Sequence, residues 1–256
     1  MISISKTKFF LSLQKKRVRD DKRLYIIEGD KLVNEFIQSG TRLRLLAAKP
    51  EFIDSLLPED KAIIDEIIIA GFDELKRISS LKTPHNAVAI VSFPEYTTDL
   101  SKILENLCVA LDFVQDPGNL GTIIRAAAWF GIKDIVCSQN CVDVYNPKVI
   151  QASMGALLKV RIHYTELASL LSFALKRNLP VYGALLEGES IYSCELGNRG
   201  VILLGNESKG ISGDLFPFIT KKIMIPQFNR SESGINSLNV SMAAAVIFSE
   251  FARRSI

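Results

Sequence analysis

The chain is poor in the residues that build metal and redox sites. It has only four cysteines and two histidines among 256 residues. Cys108, Cys137, Cys141 and Cys194 form no C-x-x-C pair, and His85 and His163 stand far apart. Zinc-ligand spacing is absent, so no metal is expected. The thiols read as reduced, mostly buried groups of a cytoplasmic protein. Also missing is any run of about 18 apolar residues, so no membrane-spanning helix is expected. The N-terminus lacks the apolar centre of a signal peptide. Neither G-x-G-x-x-G nor G-x-x-x-x-G-K-[ST] occurs, which excludes an ordinary dinucleotide fingerprint and a Walker loop. There is no internal repeat and no low-complexity tract.

What is present is ordinary globular composition, 48% hydrophobic and 23% charged, with a net charge of +3. The charge is unevenly spread. Lys6, Lys8, Lys15, Lys16, Arg17, Arg19, Lys22 and Arg23 face only Asp20 and Asp21 in the first stretch, which therefore carries about +6. Such a segment suits a phosphate backbone, but taken alone it reads first as the solvated face of an amphipathic helix.

The first hundred residues alternate short apolar runs with amphipathic patterns. "RLYIIEG", "RLLAA" and "AVAIVSF" read as strands. "DKLVNEFIQSG" reads as a helix with Leu32, Val33, Phe36 and Ile37 on one face and Asp30 as a plausible cap. This is a small α/β unit of residues 1–95. A polar stretch beginning "PEYTTDLSK" suggests a linker, placed at 96–106. From 107 to 256 the strands are longer and more apolar: "CVALDFV", "DIVCS", "VYGAL", "GVILLG" and "KIMIP". Helical patterns separate most of them. That predicts a parallel sheet covered on both faces, with ligands beyond the carboxyl ends of its strands.

Three polar clusters follow such strands. In "QDPGNLGTIIRAAAWFG" a turn at Pro117-Gly118 precedes a helix from about Leu120 to Phe130. Ile123, Ile124 and Ala127 supply its buried face. Arg125 stands among small and apolar residues, and either faces a polar site or reaches water by its long stem. In "LLGNESKGIS" a strand runs into Gly205-Asn206-Glu207, with Glu207 either a helix-terminal acid or a site residue. In "SLNVSMAAAV" Ser237 and Asn239 flank Leu238 at the start of the last helix. One of the two polar residues suffices as a cap, so the other is spare.

Taken in order, Asn119-Leu120-Gly121 with Arg125, Gly205-Asn206-Glu207, Ile225-Pro226 and Ser237-Leu238-Asn239-Val240-Ser241 resemble the three motifs of the SpoU/TrmH branch of the SPOUT RNA methyltransferases. "NPKVIQASMGAL" is similar to the segment between the first two motifs. The first hundred residues look, more loosely, like the ribosomal-protein-like substrate-binding domain of many members. The resemblance implies a trefoil knot in the C-terminal parallel sheet, S-adenosylmethionine as cofactor and a homodimer. It implies methylation of a ribose 2′-hydroxyl in structured RNA, rRNA before tRNA. A non-catalytic RNA-binding protein of the same fold is the other reading. A small-molecule enzyme is disfavoured by the missing phosphate loops.

By resemblance, Asn119, Arg125, Glu207, Ser237 and Asn239 are catalytic, and Gly205, Ile225 and Leu238 hold the cofactor. The family assigns activation of the hydroxyl to the arginine. A guanidinium stays protonated, so Arg125 acts either as a base in an unusual site or as a phosphate clamp that stabilises the alkoxide. The chain departs from the family at Ser208, where glycine is common, at Gln151, where arginine is common, and in a longer loop between Pro226 and Ser237. The two-part reading predicts that removal of residues 1 to about 95 spares cofactor binding.

Overall fold

The computed structural model describes residues 1–228 and 237–254. The chain forms two units, Met1–Tyr96 with Asp143–Leu158 and Thr97–Val142 with Lys159–Ile256. Among the described residues, ten strands are arranged in two sheets: β1 (Leu24–Glu28), β2 (Leu43–Ala48), β3 (Ile67–Ile69) and β4 (Ala87–Ser92) in the first unit, and β5 (Leu107–Leu111), β6 (Asp134–Cys137), β7 (Arg161–Tyr164), β8 (Val181–Ser190), β9 (Gly200–Leu204) and β10 (Lys221–Met224) in the second.

The first sheet has the order β1-β4-β2-β3. β4 runs antiparallel to both β1 and β2, and β3 parallel to β2. Its apolar runs are continuous because both faces are covered. Tyr25, Ile27, Ala87, Ala89 and Val91 enter one core with Leu32, Val33 and Phe36. The alternate residues Ile26, Val88 and Ile90 enter a second core with Phe10, Leu13 and Leu75. This is the two-residue period of a strand, read twice. Asp30 is the first residue of its helix and not the cap. Gly29 takes that place, and the Asp30 carboxylate accepts from Asn86 Nδ2 at 2.7 Å.

Half of the basic segment is spent on structure. Lys6, Lys16, Arg19 and Lys22 pair with Glu66, Asp20, Asp143 and Asp21. Arg19 is buried, and its Nη1 also donates to the carbonyls of Leu13 and Gln14 at 2.9 and 2.8 Å. Lys8, Lys15, Arg17 and Arg23 are exposed. The partner Asp143 begins the late segment that joins this unit. There Tyr145 stacks on Phe93, with centroids 3.8 Å apart, and Ile150 enters the core. Gln151 Nε2 donates to the Glu28 carbonyl at 3.0 Å. Removing residues 1 to about 95 would therefore strip Tyr145, Ile150, Leu157 and Leu158 of their packing partners. Truncation is not the clean dissection that a boundary along the sequence suggests.

The second sheet is parallel throughout, in the order β10-β8-β9-β5-β6-β7. From β5 the chain moves outward through β6 and β7, then returns to build β8, β9 and β10 on the other side. The order thus reverses between β5 and β9, where open α/β sheets bind ligands at the carboxyl ends. The helix Pro117–Trp129 follows β5, and the last helix, Val240–Arg253, packs against it.

The last helix is tied down at its far end. Glu250 is buried and accepts from Arg253 and Arg254. Arg254 also donates to the carbonyls of Ile191, Tyr192 and Cys194. The hydrogen bonds from Arg253 and Arg254 hold the Glu250 carboxyl at about 2, below its ordinary 4.5. A depressed carboxyl stabilises the fold above its unfolded value and loses that contribution as pH falls through the folded one. Glu250→Gln is accordingly expected to lower the Tm at neutral pH by several degrees, for a loss of about 1–2 kcal/mol. The gap to wild type should close between about pH 4.5 and about pH 2. Melting curves that stay equally separated across that window would contradict the ion-pair account.

Candidate active site

Three loops meet at the switch point, and their side chains form one hydrogen-bonded chain. Asp116 caps the helix Pro117–Trp129 by accepting from the Asn119 N–H at 2.8 Å, and Pro117 occupies the first turn, where no N–H is needed. Pro117-Gly118-Asn119 is therefore the first helical turn and not a separate turn ahead of a helix at Leu120. This brings Asn119 to the carboxyl edge of the sheet. Asn119 Nδ2 donates to Glu207 Oε1 at 2.6 Å. Asn206 Nδ2 donates to Glu207 Oε2 at 3.3 Å and to the Phe113 carbonyl at 2.9 Å. Asn239 Nδ2 donates to Asn119 Oδ1 at 2.9 Å. Asn239 Oδ1 in turn accepts from the Ser241 N–H at 2.9 Å and from the Met242 N–H at 3.3 Å. One asparagine thus caps the last helix and joins it to the first motif. Ser237, the spare polar residue, is exposed.

These contacts redistribute the roles. Asn119 uses both ends of its amide within the protein, so it fixes the site's shape. Glu207 uses two of its carboxylate's roughly four acceptor positions. It can still accept from a hydroxyl or a guanidinium. Arg125 is exposed, on the side of the helix away from the buried Ile123, Ile124 and Ala127. It lies six residues beyond Asn119, about 9 Å along the axis.

Gly205 follows β9 and opens a narrow loop. Asn206 and Gly210 exchange backbone hydrogen bonds at 2.9 Å. Asn206 Oδ1 also accepts from the N–H groups of Ser208 and Lys209, each at 3.0 Å. Ile225 follows β10 and is half-buried, while Leu238 is 52% exposed. Two strand ends and a half-exposed apolar side chain suit a ligand with an apolar body and polar ends.

Two contributors escaped sequence reading, and a third, Asn206, was read only as part of the second motif. Asp112, buried, accepts from the Ser212 N–H at 2.7 Å and fixes the loop after β9. Asn206 and Asp116 hold the chain described above. Asp112 and Asp116 carry a legible signal, an acid just after an apolar strand and an Asp-Pro helix start. The partners of Asn206 carry none. Asp134, the first residue of β6, pairs at 3.0 Å with His163 of β7, away from the carboxyl ends where the motif loops lie. Among the described residues no group of three or more His, Cys, Asp or Glu could hold a metal ion. No described helix is long and apolar enough to cross a membrane. Most of the longer loop, residues 229–236, lies outside the described residues.

The profile of the SpoU rRNA Methylase family matches residues 106–249, more than half of the chain and all three motif clusters. The chain belongs to that family. A second profile, the MRM3-like substrate binding domain, matches residues 5–89. Among relatives of this SpoU chain, the 23S rRNA (guanosine(2553)-2'-O)-methyltransferase RlmP of Bacillus subtilis is 26% identical over 94% of each chain. Mitochondrial relatives are longer, and the chain spans 37% of one from Xenopus tropicalis. Among solved structures, a TrmH-family protein from Porphyromonas gingivalis is 35% identical over 99% of each chain, with a TM-score of 0.88. An AdoMet-bound rRNA methyltransferase from Sinorhizobium meliloti is 26% identical, covering 100% of this chain and 97% of its own, with a TM-score of 0.84.

Proposed function

We propose that this SpoU-family chain transfers a methyl group from S-adenosylmethionine to a ribose 2′-hydroxyl of ribosomal RNA. The observation that carries the reading is the single hydrogen-bonded chain through Asn206, Glu207, Asn119 and Asn239. It links all three motifs at the switch point of the sheet. The relatives' printed activities, and the bound AdoMet of the Sinorhizobium meliloti structure, support the choice of substrate and cofactor.

Bound cofactor supplies an electrophilic methyl; the protein positions the hydroxyl and manages its proton. The backbone around Gly205, Ile225 and Leu238 cradles the cofactor, with Leu238 giving apolar contact. Glu207, held from two sides, accepts from the ribose hydroxyl or orients Arg125. Arg125 binds phosphate and offsets the charge that develops on the oxygen. Ser237 and Asn239 complete the wall facing the ribose. In the first unit, exposed Lys8, Lys15 and Arg17 hold RNA through its phosphates. The active form is a homodimer with a trefoil-knotted second unit, working in the cytoplasm, and no metal takes part.

Maps of 2′-O-methylation in total RNA test this directly, from cells with and without the gene. One rRNA ribose should lose its methyl group without the gene. A tRNA position lost instead would move the substrate class. Unchanged maps, together with no cofactor binding by calorimetry, would leave a non-catalytic RNA-binding protein.

A further inference from the structure

Phe113 has a backbone φ of 60°, in the left-handed region that bulky side chains avoid. It follows β5 directly beside the polar chain. Both of its backbone polar atoms are fixed. Its N–H donates to Ser138 Oγ at 3.0 Å, and its carbonyl accepts from Asn206 Nδ2 at 2.9 Å. The same Asn206 amide touches Glu207. Core packing gives little reason for a phenyl ring here. Asp112 and Val114 on either side are buried, whereas Phe113 is only part-buried. The Lys209 ammonium stands 5.5 Å from the ring centroid. Lys209 itself is exposed, in the narrow turn that Asn206 and Gly210 close.

Strained, over-determined residues gather where a function needs them. Glycine would take this backbone without strain, so the ring is what the position gains. We propose that Phe113 and Lys209 form a nucleotide clamp, in which the ring stacks on a base of the RNA substrate and the ammonium meets an adjoining phosphate. An aromatic face accepts any base. A cation beside it matches the alternation of flat bases and charged phosphates along a single strand. Phe113 is thus a substrate-positioning residue. The inference rests on the methyltransferase reading, since it places the clamped nucleotide beside the ribose that reacts.

The test uses the full chain with Phe113→Gly, Phe113→Tyr and Lys209→Gln. Cofactor affinity is read by calorimetry, RNA affinity by filter binding, and methyl transfer by labelled cofactor. Phe113→Gly should keep a Tm within a few degrees of wild type, because it relieves the backbone. Its cofactor affinity should be unchanged, with RNA affinity and KM for RNA worsened about tenfold to a hundredfold. Phe113→Tyr should restore both. Lys209→Gln should weaken RNA binding and lessen its salt dependence by about one phosphate. Unchanged RNA affinity in Phe113→Gly overturns the clamp. So does a loss of cofactor affinity that accounts for the whole defect, because the ring would then serve the cofactor's adenine. Failure of the methyltransferase reading looks different: wild type itself transfers no methyl, while filter binding still reports on the clamp.

Discussion

Replacing Arg125 with alanine is expected to cut methyl transfer at least a hundredfold while leaving cofactor binding and Tm near wild type. The side chain is exposed, on a helix whose core contacts come from Ile123, Ile124 and Ala127. Losing an exposed side chain of this kind changes stability by about half a kcal/mol or less. The cost falls on chemistry. A donor aimed at developing negative charge is worth about 10²–10³ in rate, and its loss leaves the cofactor cradle proposed at Gly205, Ile225 and Leu238 untouched. Arg125→Lys separates the two roles the sequence leaves open. A clamp that needs the two-pronged guanidinium is not restored by lysine. A base would be restored, with a pH profile moved to the lysine's lower pKa. Single-turnover rates across pH decide between them, and full activity in Arg125→Ala would remove the residue from the mechanism.

Of the candidate site, the residues that the structure joins, Asn119, Glu207 and Asn239, were legible, and the way they are joined was not. Asn119, Glu207 and Asn239 are readable because each is a polar residue beside a glycine or a helix start, in a segment that follows an apolar strand. Their mutual hydrogen bonds cross 88 and 120 residues of sequence, and no periodicity reports such a closure. Phe113 was hidden for a simpler reason. "CVALDFV" reads as uninterrupted strand, and a left-handed φ at a phenylalanine contradicts every local propensity. The parallel sheet was readable from its apolar runs, because strands buried on both faces need no alternation. The segment Asp143–Leu158 was not. It lies between β6 and β7 of the second sheet but packs with the first unit, through Tyr145 on Phe93 and the buried pair of Arg19 with Asp143. Point substitutions at Lys15 and Arg17 therefore probe RNA binding more cleanly than truncation does.

The glycines of the loop after β9 should separate steric need from conformational need. A Cβ on Gly205 would fall on the backbone of Gly210 and Ile211, closer than real Cβ atoms come. Neither neighbour is a flexible side-chain end, so relief requires opening the Asn206–Gly210 turn. Gly205→Ala is expected to destabilise the second unit by about 3 kcal/mol or more, a fall in Tm of roughly 6–12 °C. It should also abolish cofactor binding, since the Gly205 backbone proposed to hold the cofactor moves with the turn. Gly210 differs in kind. Its φ of +70° disfavours a side chain, but nothing lies within 4 Å of the added atom. Gly210→Ala should cost only about 1 kcal/mol, with cofactor binding retained. Urea denaturation and calorimetry on the two variants give the comparison. If Gly205→Ala proves as mild as Gly210→Ala, the turn is not closed as tightly as its hydrogen bonds indicate. Glu207 would then no longer be held in place by its own loop, and its fixed position would have to come from Asn119 alone.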